Sequence, residues 1–301
     1  MKLPISVIIL TYNEEKNIEA CLKSVYDWVD EIFIVDSYST DKTLEIAKKY
    51  TDKIYQHEFK NQAKQFNWAL ENLPLKGTWI MRLDADERWT HEAFEELEEI
   101  VKVPELNGIY IKLRIYFMHK WIKYGGFYPN YFLRVFKRGK GKIENRMMDE
   151  HIIMEGKTAY LKNDILEYNL KDRNGSIEEF IFKHINYAKR EALDYLAMKY
   201  GSLKPETIAN IFRGKTEQKR YLKENFYYKL PLFLRAFAYF LYRYFLKLGF
   251  LDGKEGLIFH FLQGFWYRFL VDAKIYEIEK KSKAENKSIK DIIKEMYGID
   301  I

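Results

Sequence analysis

The residues best placed to do chemistry close an apolar run. In "WIMRLDADERW", residues 79 to 89, Asp84, Asp86 and Glu87 follow Trp79, Ile80, Met81 and Leu83. Carboxylates two positions apart on an extended chain point to the same side. Asp84 and Asp86 can therefore share a divalent cation through hard oxygen ligands. Acids here would equally suit the dipole of a helix starting near Thr90, so a solvated turn is the competing reading. Other polar clusters end apolar runs in the same way: Thr11, Tyr12, Asn13 and Glu14 after "ISVIIL", and Asp36 and Ser37 after "EIFIV". Tyr12 is either a binding ring or a packed one. Further along, "MDEH" offers Asp149 and Glu150 as acids and His151 as a third metal ligand, or is a charged loop.

Such clusters need elements that bring them together. "ISVIILTY" is a β-branched run of the kind buried on both faces of a parallel sheet, and "EEKNIEACLKSVYDW" follows with Ile18, Cys21, Leu22 and Val25 at helical spacing. "EIFIVDS" predicts a second strand. In "STDKTLEIAKKY", Ser39, Thr40 and Asp41 offer N-cap oxygens ahead of Leu44, Ile46 and Ala47. "DKIYQHEF" is a third strand, "NQAKQFNWALENL" a third helix and "TWIMRLDADE" a fourth strand. The βαβαβαβ series predicts an α/β fold with a doubly wound sheet. Ligands of such sheets sit at the carboxyl ends of the strands, where the three clusters converge.

No G-x-G-x-x-G or G-x-x-x-x-G-K-[ST] follows the first strand; "TYNEEKN" stands there instead. A bound diphosphate would need its charge met by something other than a glycine-rich helix start, and a metal on an acidic strand end does that. Base contacts near Tyr12 and Asp36 complete that arrangement.

The chain resembles the family-2 glycosyltransferases of GT-A fold. The residues that carry the resemblance are "VIILTYNEEKNIEACLKSV", "IFIVDSYSTDKTLEIA", "NWAL" and "WIMRLDADE", in that order, then "GGFYPNYFLRVFKR" and "MDEH". The nearer likeness is to bacterial lipopolysaccharide core β-glucosyltransferases. It implies a Rossmann-like, doubly wound mixed sheet and inverting transfer from a nucleoside-diphosphate sugar, most simply a UDP-sugar, to a glycan or glycolipid acceptor. It also implies residue roles. Thr11, Tyr12 and Glu14 would hold uracil and ribose, and Asp36 would accept a hydrogen bond from the base. Asp84 and Asp86 match the D-x-D element, whose second acid ligates Mn²⁺ or Mg²⁺. Glu150, or its neighbour Asp149, falls at the general base. "GGFYPNYFLRVFKR" falls at an acceptor-side loop. One position departs from the pattern: where relatives carry "QRNWAL", Phe66 replaces the cation in "KQFNWAL", and Lys64 could take its place.

The chemistry asks for the same parts. Transfer from a diphosphate needs charge stabilised on the leaving phosphates and a separate base for the acceptor proton. A sugar nucleotidyltransferase on a similar sheet would want a glycine-rich basic loop after the first strand, which is missing. A catalytically silent binding or scaffold protein would not need Asp84, Asp86 and Glu150 together.

With 301 residues, 48% hydrophobic and 31% charged, the chain can bury a sizeable core. Its one cysteine, Cys21, sits at a helix core position and excludes an internal disulfide framework, which suits a reducing compartment. No secretory signal and no bilayer-spanning run is visible. A net charge of +6 permits an anionic partner, and nucleic acid is not among those expected. The expected location is cytoplasmic, peripheral on the inner face of the plasma membrane.

Aromatics make up 17% of the chain and gather late. The expected division is a catalytic domain over 1–160 and a helical extension over 161–301. "SIEEFIFKHINYAKREALDYLAMKYG" reads as one amphipathic helix. In "LPLFLRAFAYFLYRYFLKLGFL", read as one helix from Pro231, Arg235, Arg243 and Lys247 fall within about a 120° arc, the rest being Leu, Phe, Tyr and Ala. Cations on one side and rings on the other predict a helix in a membrane interface, attracted by anionic headgroups. The alternatives are a helix pair packed within the protein and a homo-oligomer contact. The charged C-terminal segment reads as helix with a solvated face.

Overall fold

A computed structural model describes residues 2–144, 151–168, 176–200, 218, 221–223 and 225–299. They divide into two units. The first holds residues 2–121, 127–144, 151–168 and 176; the second holds 122–126 and the described residues from 177 onward.

The first unit is a three-layer α/β structure. Strand β1 (Leu3–Thr11) buries almost every side chain, as its β-branched run requires. Helix α1 (Ile18–Val25) returns over it with Ile18, Cys21, Leu22 and Val25 inward. Burial pushes the Cys21 thiol far above its ordinary range, as befits a core residue rather than a nucleophile. Strand β2 (Val29–Asp36), the short α2 (Thr43–Ala47), β3 (Ile54–Gln56), α3 (Gln62–Asn72) and β4 (Trp79–Asp84) complete the series read from the sequence. Helix α3 is capped by the Asn61 side chain, which accepts from the Lys64 N–H at 2.7 Å. A two-residue strand β5 (Glu87–Arg88) precedes α4 (His91–Ile100), whose cap is Thr90.

The second half of this unit supplies the strands that make the sheet mixed. They are β6 (Leu106–Phe117), β7 (Lys120–Trp121), β8 (Tyr131–Lys137), β9 (Gly141–Ile143), β10 (Ile152–Met154) and β11 (Lys157–Tyr168). The strand order is β3-β2-β1-β4-β8-β6-β11-β5, with β7 beside β6; β9 and β10 form a separate antiparallel pair. Strands β1 to β4 run parallel, whereas β8 lies antiparallel between β4 and β6. The GT-A type of α/β sheet is therefore present. Strand β11 runs through residue 160, the expected domain boundary, because its pairing with β6 continues to Tyr168.

The second unit is helical. Helix α5 (Ile177–Lys199) packs along α8 (Tyr267–Glu285), and α9 (Ile289–Tyr297) closes the same core through Ile289, Ile292 and Ile293. His184 lies inside this unit. Its Nδ1 pairs with the Phe180 carbonyl at 2.8 Å, and burial lowers its pKa to about 4.

The aromatic segment is not the single helix expected from Pro231. It is α6 (Leu234–Leu241), a π-helical stretch Tyr242–Leu246, a 3₁₀ turn Gly249–Asp252, α7 (Gly253–Phe259) and a second π-helical stretch His260–Trp266 leading into α8. The break falls where Leu248 takes φ 60 and Asp252 accepts from the N–H groups of Lys123 and Tyr124.

The cationic arc also faces the other way from the expectation. Arg235 is buried against the Asp272 carboxylate, with Nε 2.7 Å from Oδ1. Arg243 is buried too, its Nε 2.6 Å from the Gly125 carbonyl, which it donates to, and its guanidinium bonded to the Tyr239 hydroxyl at 2.6 Å. Their counter-charges and carbonyls come from distant positions, which a helical wheel of one segment does not show. Only Lys247 of the three is exposed. Among the described residues no helix is long and apolar enough to cross a membrane.

Candidate active site

Strand register sets the site. Thr11 pairs with Asp36 across β1 and β2, and Leu10 pairs with Asp84 across β1 and β4. The ends of β1, β2 and β4 therefore lie level at one edge of the sheet, as parallel strands joined by helices require.

At the first two ends the polar groups build a fixed loop. Asp36 is buried; its Oδ1 accepts from the Thr11 hydroxyl at 2.9 Å and the Ser39 hydroxyl at 2.5 Å, and its Oδ2 from the Ser39 N–H at 2.8 Å. Ser39 Oγ accepts from the Asn13 N–H at 2.8 Å, and Asn13 Oδ1 from the Thr40 N–H at 2.9 Å. Ser39, offered for the cap of α2, instead knits the two strand ends together, whereas Asp41 does both: its Oδ1 accepts from the Thr43 N–H at the start of α2 at 2.9 Å and its Oδ2 from the Glu15 N–H at 3.1 Å. Asn13 and Tyr38 take positive φ, 54 and 60, in this tight crossing. Glu14 is half-buried and accepts from the Asn17 side chain at 2.9 Å at the start of α1. The rings of Tyr12 and Tyr38 are left 59% and 56% exposed, so Tyr12 is not a packed core ring. Tyr38 did not figure among the expected site residues, although "DSYST" places a second ring at a strand end.

The third end holds charge against charge. Asp84 Oδ1 accepts from Arg82 Nε at 3.2 Å and Oδ2 from Arg134 at 3.0 Å. The same Arg134 nitrogen bonds Glu87, whose other oxygen accepts from the Asp84 N–H at 3.1 Å. Glu87 and Arg134 are buried. Burial opposes charge on Arg134, yet the carboxylates of Glu87 and Asp84 keep it protonated above its usual range. Desolvation pushes the Glu87 carboxyl up, and the charge of Arg134 beside it pulls the other way. Two of the three acids in the turn are thus held by guanidinium groups, one of which arrives from β8. The Asp84 role expected from the sequence has to share that carboxylate with structure. Arg82 stood in the quoted stretch; Arg134 stood in "FLRVFKR", and nothing local tied it to the acids.

Of the other expected residues, Lys64 is exposed on α3 while the neighbouring Phe66 is buried in the core, so the departure from "QRNWAL" leaves a packing residue at 66. Gln65, between them, donates to Ser37 Oγ at 2.7 Å and so braces the end of β2. His151 immediately precedes β10: its N–H donates to Glu144 Oε1 at 3.1 Å, and its buried Nδ1 lies 3.4 Å from the same atom without forming a hydrogen bond. Asp149 and Glu150 lie outside the described residues.

Residues 6–165 match the family model described as glycosyl transferase family 2. The chain belongs to this family. The glycosyltransferase is 29% identical to the lipopolysaccharide core biosynthesis glycosyltransferase LpsC of Rhizobium meliloti, over 92% of this chain and 93% of that one. It is 26% identical to an uncharacterized glycosyltransferase of Rickettsia typhi over 93% and 89% of the two chains. Among solved structures it is similar to TarS 1-349 of S. aureus, with 16% identity, coverage of 95% and 92%, and a TM-score of 0.43. A glucosyl-3-phosphoglycerate synthase from Mycobacterium tuberculosis, crystallised with Mg²⁺ and UDP, aligns over 37% of this chain and 43% of its own at 20% identity and a TM-score of 0.31.

The acidic turn offers oxygen donors of the kind a divalent cation takes. Asp84 and Asp86 supply hard carboxylate oxygens at a strand end, and the Nδ1 of His151 is a buried nitrogen with no hydrogen bond, acceptable to Mn²⁺ more than to Mg²⁺. Among the described residues no three His, Cys, Asp or Glu side chains are gathered into a ready metal nest.

Proposed function

We propose that this glycosyltransferase moves a sugar, with inversion, from a UDP-sugar to a hydroxyl of a cell-envelope glycan or lipid-linked acceptor, working as a peripheral protein on the cytoplasmic face of the membrane. The observation that carries the reading is the register that brings Thr11, Asp36 and Asp84 level at one sheet edge in a family-2 chain. There the exposed ring of Tyr12 offers a stacking face for the base, with Thr11 and Glu14 beside it for base and ribose. Asp36 organises this loop through Thr11 and Ser39 and is the candidate acceptor for the base N–H. Lys64, exposed on the neighbouring helix, supplies positive charge toward the phosphates.

Asp86 would hold Mn²⁺ or Mg²⁺, with Asp84 and His151 as further candidates; the cation would stabilise negative charge on the leaving diphosphate. Arg82 and Arg134 hold the Asp84 carboxylate in place through their hydrogen bonds. In the transfer the acceptor oxygen bonds the anomeric carbon as the bond to the phosphate oxygen breaks, and the acceptor proton passes to Glu150, with Asp149 the alternative base. Inversion follows because the nucleophile enters opposite the leaving group. The LpsC relative, named for lipopolysaccharide core biosynthesis, supports an envelope acceptor.

The test is a titration of UDP-glucose, UDP-N-acetylglucosamine and GDP-mannose with and without Mn²⁺, followed by donor hydrolysis. Metal-dependent binding and slow hydrolysis of a UDP-sugar are expected. Failure of every donor to bind in a metal-dependent way would leave a silent GT-A scaffold.

A further inference from the structure

Helix α6 has its faces reversed relative to a helix folded in water. Arg235, Ala236 and, one turn beyond the helix, Arg243 point inward, whereas Leu234, Phe237, Leu241 and Phe245 are exposed at helical spacing. The exposed surface continues onto the next helix. Phe237 touches Phe265, with ring centres 6.2 Å apart, and Phe265 touches the exposed rings of Phe261 and Phe269 at 5.5 and 5.8 Å. One continuous apolar plate results, far from the scattered single residues normal on a soluble surface.

We propose that this plate is where the protein docks on an anionic lipid bilayer, by insertion of its Leu and Phe side chains rather than through Arg235 and Arg243. The proposal rests on the reading of a membrane-associated acceptor and names the surface that would bring the enzyme to it. Charge selects the occupant. Between Asn225 and Tyr276 the acids are Asp252 and Asp272, both buried, and the half-buried Glu255, whereas Lys229, Lys247 and Lys254 are exposed. A second copy would bring the same excess of charge, three exposed lysines against the one exposed acid, Glu277, over residues 225–277, and so answers it poorly. A bilayer with anionic headgroups answers them directly, and each lysine near such a surface adds attraction that salt screens. The exposed rings of Tyr242 and Tyr276 carry hydroxyls suited to headgroup depth. The inward guanidinium groups then have a task of their own: bonded to Asp272 and Gly125, they hold the plate rigid from beneath.

The experiment is flotation of the full chain with phosphatidylglycerol–phosphatidylcholine vesicles and with pure phosphatidylcholine vesicles, at low and high salt. The wild type is expected to float with the anionic vesicles and more weakly with the neutral ones. The variant L234Q/F237Q/F245Q is expected to lose at least about tenfold in partition at either salt. K247Q/K254Q is expected to lose a few-fold at low salt and little at high salt. Because all five positions are exposed, unchanged melting temperatures show that the variants fold. A triple variant that floats like the wild type would overturn the proposal. So would a wild type that ignores vesicles and forms a dimer which the triple variant dissolves. Donor hydrolysis measured without vesicles separates the two readings: hydrolysis without flotation removes the docking surface and keeps the transferase, and flotation without hydrolysis does the reverse.

Discussion

Helices α1 and α6 are both amphipathic, and they are turned opposite ways. Helix α1 buries Ile18, Cys21, Leu22 and Val25 and shows Glu19 and Lys23 to water, paired at 3.1 Å. Helix α6 buries Arg235 and shows Leu234 and Phe237. The first orientation is the one the hydrophobic effect dictates for a surface helix of a sheet protein. The second is stable only because Asp272 neutralises Arg235 inside, and it leaves apolar area exposed with no partner among the described residues of its own unit. A periodic pattern thus says that a helix has two faces without saying which one is in. The deciding residue can lie far away in sequence, as Asp272 does.

Four measurements would break or sharpen this contrast. The largest effect is expected at the buried pair beneath α6: Asp272→Ala leaves Arg235 charged and unpaired and is expected to cost roughly 3–5 kcal/mol in chemical denaturation. The double change Arg235→Met with Asp272→Leu is expected to be much milder. An equally severe double variant would show that packing, not charge, holds the helix. Next, Leu22→Ala on α1 removes side-chain volume from a closed core and is expected to cost about 2–5 kcal/mol, read from the same denaturation curves.

The third concerns pH. His184 in the second unit has its pKa held at about 4 against an ordinary 6.5 by burial. Below the ordinary value the unfolded chain takes up a proton that the folded chain refuses. Stability present at neutral pH is therefore lost as pH falls from the ordinary value toward the folded one, by up to about 3 kcal/mol. His184→Gln should flatten that slope in melting curves of the second unit's helical signal. The smallest effect is expected at Phe237→Gln, within about 0.5 kcal/mol of wild type, because its ring already faces outward. A loss as large as that of Leu22→Ala would mean that α6 is turned like α1.

The sequence made the first half of the catalytic unit legible because continuous β-branched runs and helical spacing both reported burial. "ISVIILTY", "EIFIVDS" and "TWIMRLDADE" became β1, β2 and β4 with their polar ends level. The later strands went unread, although the alternation of Ile109, Ile111 and Leu113 with Lys112 and Arg114 in β6 carries a period-two signal. The acidic turn was legible as a cluster of carboxylates at a strand end and opaque as to what balances them. Arg134 meets Asp84 and Glu87 only through the pairing of β4 with β8, a long-range register that no local pattern contains. Likewise the rings of "LPLFLRAFAYFLYRYFLKLGFL" announced an unusual surface, but the inward turn of its arginines depended on Asp272 and on the carbonyl of Gly125.

The central claim is that the level strand ends of the first unit hold a sugar nucleotide together with a divalent cation at Asp86. Calorimetric titration of UDP into the wild type, Asp86→Ala and Glu150→Gln, each with and without Mn²⁺, tests it most directly. The account predicts metal-dependent binding in the wild type, loss of that binding in Asp86→Ala, and near-normal binding without sugar transfer in Glu150→Gln. UDP binding that is the same with and without metal, or an Asp86→Ala variant that binds like the wild type, would contradict it.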